Sequence, residues 1–311
     1  MVSRSSDSTA ASATSVSTSS ASSASTAGSA SSESGSASTS PSDALARIWR
    51  RIPPRLLGVT TATTLLFFYL PVALVAYFSF APTAQPTIPI EGVSLRWYRA
   101  VFADSRFVRG LATSVGVGVV AAVGGTALGT MAAHVIVRGR LPRRVRGAVA
   151  LVVALPLFVP TIVVALGVGV FAGRVGLGFG LVPVVLGHLF WVLPFSTFLL
   201  AARFADLDAG LTEAARTLGA DDWVAFRTVT VPLLAPGLVA SLLFCFALSF
   251  NEFLITYFLA GSGVTTMPLE LFDNIRTARV SVLNAASTLV LVVSAVVAFV
   301  ASALEPPTRA G

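Results

Sequence analysis

The sequence predicts an all-α, polytopic membrane protein with six transmembrane helices, and three observations carry that expectation. Of 311 residues, 55% are hydrophobic and 11% charged. The mean hydropathy of +0.84 lies well above that of a water-soluble domain. The charges also fall into clusters, and the uncharged stretches between them reach the length of about 20 residues that a hydrocarbon core about 30 Å thick requires.

Residues 1–43 hold 20 serines among alanine, threonine and glycine. Such a segment buries too little apolar surface to offset the entropy of ordering, so a disordered tail is expected. A secretory signal is disfavoured because no apolar run follows the early Arg4. A start codon nearer Ala44 is the alternative to a functional tail. Residues 44–311 then form the transmembrane domain, with spans at about 56–80, 111–137, 147–173, 181–202, 230–260 and 280–304. The fifth is apolar apart from Glu252 and ends at Gly261-Ser262-Gly263. That triplet could hint at an intramembrane serine protease, but no histidine follows it, and a turn is expected. Pro71, Pro156, Pro160, Pro183 and Pro194 lie within spans, where they bend helices. Gly125/Gly129 and Gly169/Gly173 have the four-residue spacing that lets helix backbones approach closely.

Charge sets the expected orientation and excludes several chemistries. Six spans put both termini on one side. Leaving out Arg4, that side collects 13 arginines and the other 7. Five of the 13 stand in the short loop 138–146 (Arg138, Arg140, Arg143, Arg144 and Arg146). The positive-inside rule therefore makes this side, and both termini, cytoplasmic. The same argument assigns the net charge of +7 to membrane orientation rather than to nucleic acid. Every basic residue other than histidine is arginine. A chain without lysine has no Walker A phosphate loop, Schiff-base lysine or lysine general base. Cys245, His134 and His188 are too dispersed to suggest a zinc cluster. No metal, cofactor or catalytic group is expected.

The inward-facing stretch from Arg203 to Arg227 reads as two short helices. Asp208 can cap a helix over residues 211–218, and Gly219 supplies the left-handed residue that ends it. Asp221 or Asp222 can cap a second, Trp223 to Thr228. Pro232 then falls in the first turn of the fifth span, where a missing N–H costs nothing. Ala214 and Ala215, flanked by Glu213, Arg216 and Trp223, offer a small-residue face suited to a partner's groove. On these grounds alone, a simple elbow between spans is the competing reading.

Glu213-Ala214-Ala215, Gly219, Val229, Val231 and Pro232 stand in the register E-A-A-x3-G-x9-I-x-L-P. They resemble the EAA loop of ABC importer permeases, with valines replacing the usual isoleucine and leucine. The resemblance extends over roughly Leu95 to Leu304. Leu95-Arg96-Trp97-Tyr98, Leu193-Pro194-Phe195, Ser249-Phe250-Asn251-Glu252, Met267-Pro268-Leu269 and Asn284-Ala285 are similar to the second permease of spermidine/putrescine-type importers. Relatives with iron, thiamine or aminoethylphosphonate as solute share much of this pattern.

This resemblance implies a type I permease fold in the cytoplasmic membrane and no catalytic activity of its own. It implies that Glu213, Ala214, Ala215, Gly219 and Pro232 form the loop that couples to a separate ATPase. The implied partners are two ATP-binding subunits, a second permease that is similar or identical, and an extracytoplasmic solute-binding protein. A secondary carrier or intramembrane enzyme is the rival of a different class, and it would need internal ionisable relays that the spans lack. Glu252 is the sole acid inside an expected span, and facing lipid it would cost several kcal/mol. With Asn251 it is either a lining of the solute path or a polar clamp between spans. His134 and His188 are expected to be hydrogen-bonding or interfacial residues, and Trp97, Tyr98 and Trp191 interfacial anchors.

Overall fold

The computed structural model describes residues 53–85, 87–276 and 280–304; the serine-rich stretch 1–43 lies outside them. The chain divides by its contacts into Met1–Thr61, of which only the opening turns of the first helix are described, and Ala62–Gly311. Among the described residues, five helices are long and apolar enough to cross a membrane, or six when one bent pair counts as a single span.

Helix α1 (Pro54–Ser79) presents Phe67, Phe68 and Tyr69 outward. Its end is fastened to α2 (Arg96–Ala103): Ser79 Oγ lies 2.6 Å from Tyr98 Oη, and Trp97 Nε1 donates to the Ala81 carbonyl at 2.8 Å. These two aromatics, expected as interfacial anchors, therefore act as a clasp. Both also pack on a cluster of Val101, Phe107, Met267, Ala285 and Ala286. Helix α3 (Ser105–Arg138), with Asp104 as its cap, is the longest element, and its small residues Gly118, Ala121, Ala122, Gly125 and Gly129 are buried. It packs against α6 (Leu181–Asp206) and α9 (Val231–Phe250), and these three helices form the centre of the bundle. A Cβ on Gly125 would meet Val192 Cγ2 at 2.6 Å, and one on Gly129 would overlap Ser196 Oγ. Here the four-residue glycine spacing produces a close crossing of α3 and α6.

The stretch expected as one span over 147–173 is two helices, α4 (Arg143–Phe158) and α5 (Thr161–Arg174), bent by 109°. Pro160 has no N–H and holds the preceding Val159 extended at φ −102°, ψ 129°, so the helix cannot run through. The fifth stretch also differs from expectation. It begins at Asp222 and runs as a continuous helical segment to Phe250. Beyond it, residues 251–253 break the helix before the short α10 (Leu254–Leu259). Positive φ at Gly261 and Gly263 then turns the chain toward α11 (Met267–Arg276), and α12 (Val280–Leu304) completes the fold.

Candidate functional site

At the arginine-rich end, local signals build a compact helix-turn-helix. Asp208 accepts a hydrogen bond from the Gly210 N–H at 2.8 Å and opens α7 (Ala209–Thr217). The helix closes with Gly219 at φ +95°: the Gly219 N–H reaches the Arg216 carbonyl at 2.9 Å, and the Ala220 N–H reaches that of Ala215 at 3.1 Å. This paired pattern satisfies the last carbonyls, and a residue with a Cβ reaches it only at a cost. Asp221 caps α8 (Asp222–Ala225) by accepting from the Val224 N–H at 2.7 Å. The Arg216 Nε lies 2.8 Å from Asp222 Oδ1 and ties the two helices together.

Pro232 stands in the first turn of α9, as the sequence suggested, but that helix continues an earlier helical run. Phe226–Thr230 form a single π turn, in which the Val231 N–H donates to the Phe226 carbonyl five residues back, and Pro232 follows inside the same helical run. The wider turn accommodates the proline that cannot donate.

Glu213 and Ala214 are exposed and Ala215 is half-buried. Leu218 and Trp223 project into solvent at 89% and 68% exposure, a large apolar display at the tip of a turn. Behind this tip, His134 sits between the rings of Phe204 and Phe226, at 5.5 and 5.7 Å. Arg138 donates to the carbonyls of Phe204 and Leu207. These two side chains brace the loop against α3 and α6, and an open cavity of about 820 Å³ lies between them, Glu213 and Arg216. Neither brace is legible in the sequence, because each partner stands some 66 or more residues away.

The other candidate residues lie at the far end of α9, about 30 Å away by the rise of its 20 residues. Asn251 ends that helix and donates from Nδ2 to the Ala247 carbonyl at 2.9 Å. Glu252 Oε2 accepts from the Ile255 N–H at 2.8 Å and so caps α10, with its side chain 7% exposed. Both border an open groove of about 500 Å³ whose walls include Trp191, Phe244 and Phe253. Trp191, expected as an anchor at the membrane surface, is thus a wall of this groove. His188 is buried directly beside it. Its Nδ1 lies 2.6 Å from Ser249 Oγ, and its Nε2 lies 3.0 Å from Thr256 Oγ1 and 3.8 Å from Glu252 Oε2. His188 has no acid near it in sequence, and only the packing of α6 on α10 supplies one.

A bundle of apolar helices that carries an exposed, capped helix-turn-helix between two of its spans is the architecture of a transporter's membrane subunit. The chain belongs to the family of inner membrane components of binding-protein-dependent transport systems, whose family model matches residues 125–310. It is 30% identical over 263 residues to the putrescine transport system permease protein PotI of Escherichia coli strain K12, covering 81% of this chain and 89% of the relative. It is 26% identical to the spermidine/putrescine permease protein PotC of Haemophilus influenzae, over 73% and 88% of the two chains. It is 31% identical to the trehalose permease protein SugB of Mycobacterium tuberculosis, over 65% and 74%. In fold it is similar to a chain of a bacterial ABC transporter that imports the acidic polysaccharide alginate, with a TM-score of 0.64 at 16% identity, covering 83% and 98%. A chain of the MetNI methionine ABC transporter matches with a TM-score of 0.52 at 19% identity, covering 65% and 97%.

Proposed function

We propose that residues 44–311 form the permease half of an ATP-driven polyamine importer. In this reading Glu213, Ala214, Ala215 and Gly219 dock on a separate ATP-hydrolysing subunit, and Pro232 fixes the exit of that loop into α9. Two such subunits, a second permease and an extracytoplasmic solute-binding protein complete the assembly, with the arginine-rich end inside the cell. ATP-driven closure of the ATPases draws the coupling loops together and switches the cavity between the two sides.

The observation that carries this reading is the capped and exposed helix α7, in a chain 30% identical over 263 residues to a putrescine permease. Asn251 and Glu252 supply the solute's polar contacts. A carboxylate beside three aromatic rings suits an ammonium group, because the carboxylate offsets part of its desolvation and the rings add cation–π attraction. The assay is uptake of labelled putrescine and spermidine by cells that have lost their own polyamine importers and express this chain with its partner subunits. Uptake that disappears with Glu213→Lys, while the protein stays in the membrane, is the expected result. Uptake of trehalose or another neutral sugar in place of the polyamines would replace the proposed solute.

A further inference from the structure

The break between α9 and α10 places Glu252 at the groove, and the bonds within it are all short-range: the Glu252 N–H donates to the Ser249 carbonyl at 3.2 Å and the Tyr257 N–H to that of Phe253 at 2.8 Å. The Glu252 carboxylate caps Ile255, and Asn251 bonds back to its own helix. Across the break the chain is fastened from outside. His188 on α6 reaches Ser249, the last polar residue before the break, and Thr256, in the first turn after it. Hydroxyls donate or accept, so both ring nitrogens are satisfied in either tautomer. The approach is made possible by the preceding residue: a Cβ on Gly187 would lie 2.5 Å from Ile255 Cγ2 and 3.1 Å from Leu259 Cδ1, so only glycine lets α10 rest on α6. The Gly180 N–H, donating to the Leu259 carbonyl at 2.8 Å, pins the other end of α10.

We infer that His188 is a positioning residue for solute passage: by stapling Ser249 to Thr256 it fixes the angle of the 251–253 break and so holds the Glu252 carboxylate at the groove. The inference rests on the proposed role of Glu252 in taking a cationic solute, and it adds the residue that makes that role geometrically possible. His188 touches no solute. It acts through the two hydroxyls and through its 3.8 Å approach to Glu252.

The test uses the whole transporter, reconstituted with its ATPase, second permease and binding protein, and follows putrescine uptake and ATP hydrolysis per folded complex. His188→Ala should lower uptake about tenfold, the scale of one well-made hydrogen bond, while ATP hydrolysis stimulated by the binding protein persists. His188→Gln, which keeps an amide able to donate and accept, should recover much of the loss. Glu252→Gln should lower uptake similarly, and the double variant should fall no further than the weaker single one, because both changes break one arrangement.

Additive losses, or a parallel fall in uptake and hydrolysis, would mean that His188 merely supports the bundle, and would overturn the inference. A second readout needs no solute. In a Cys245→Ser background, the thiol introduced by Asn251→Cys should react with a small thiol reagent at a rate that changes severalfold when His188→Ala is added. An unchanged rate overturns the staple. If the unaltered complex takes up neither putrescine nor spermidine, the polyamine reading fails, and the thiol rates still decide the role of His188.

Discussion

The helix-turn-helix at 208–225 and the groove at 249–256 contrast in how far along the chain their geometry is encoded. The hydrogen bonds that cap and turn the first join residues at most five positions apart, Asp208 to Gly210, Ala215 to Ala220 and Asp221 to Val224, and its distant contacts, from His134 and Arg138, only brace it from behind. The second depends on His188, which stands 61 residues from Ser249 and 68 from Thr256. The exposed turn is held largely by its own backbone rules. A site inside the membrane is held by neighbouring helices, since lipid satisfies none of its polar groups.

That contrast is open to attack from its tightest contact. Gly187→Val places methyl groups where Ile255 and Leu259 already are, and overpacking of this kind costs about 1–3 kcal/mol. We expect a lower thermal midpoint of the solubilised complex together with lost uptake. Gly116→Ala, whose Cβ meets nothing within 4 Å, should leave both unchanged. If Gly187→Val were as silent, α10 would not be resting on α6.

The loop offers the opposite kind of break, one of conformation without crowding. Nothing lies within 4 Å of a Cβ on Gly219, but its φ of +95° is strained for any L side chain, by about 1–2 kcal/mol. Gly219→Val should therefore abolish uptake while the protein keeps its abundance in the membrane, and Gly219→Asn, which tolerates positive φ, should retain much of the activity. Equal loss in both variants would assign the effect to bulk at the partner surface rather than to the turn.

What the sequence revealed follows the same division. The caps Asp208 and Asp221 and the turn at Gly219 were legible because each is a rule about adjacent residues. The apolar stretches were legible because span length is a one-dimensional quantity. The bend at Val159–Pro160 was only half legible. Proline announces a kink, but a 109° turn that splits one stretch into two helices depends on what α5 then packs against, including α10. Pro232 was legible as a first-turn proline, whereas the π turn that precedes it and joins α8 to α9 has no sequence pattern of its own. The approach of His188 to Glu252 was invisible, because His188 sits on another helix and has no sequence pattern of its own.

A smaller effect sharpens the local side of the comparison. Asp221→Ala removes the side-chain acceptor for the Val224 N–H and should cost about 1 kcal/mol, the usual loss of a helix cap. The loop is exposed, so this loss should appear as faster amide exchange over 222–226 rather than as a lower thermal midpoint of the bundle. A drop in the midpoint would show that α8 carries more of the bundle's stability than its short contacts imply.

The smallest effect is expected at the bundle centre, where Ser241 Oγ lies 2.8 Å from Ser196 Oγ and 3.0 Å from Thr126 Oγ1, linking α9, α6 and α3. This link is as long-range as the His188 staple, and a simple equation of distant with decisive would give it the same weight. The physics differs. Thr126 and Ser196 lie within helices, where a hydroxyl left without its partner can turn to the carbonyl one turn back. Hydrogen bonds between membrane helices average only about 0.6 kcal/mol. Ser241→Ala should therefore lower the thermal midpoint less than Gly187→Val does and leave uptake intact. Gly129→Ala, which drives a methyl group into Ser196, should lower it far more. A loss of more than about 2 kcal/mol for Ser241→Ala, beyond the upper range of such bonds, would mean that these hydroxyls specify the crossing of the three helices, a role otherwise left to the glycines that let them meet.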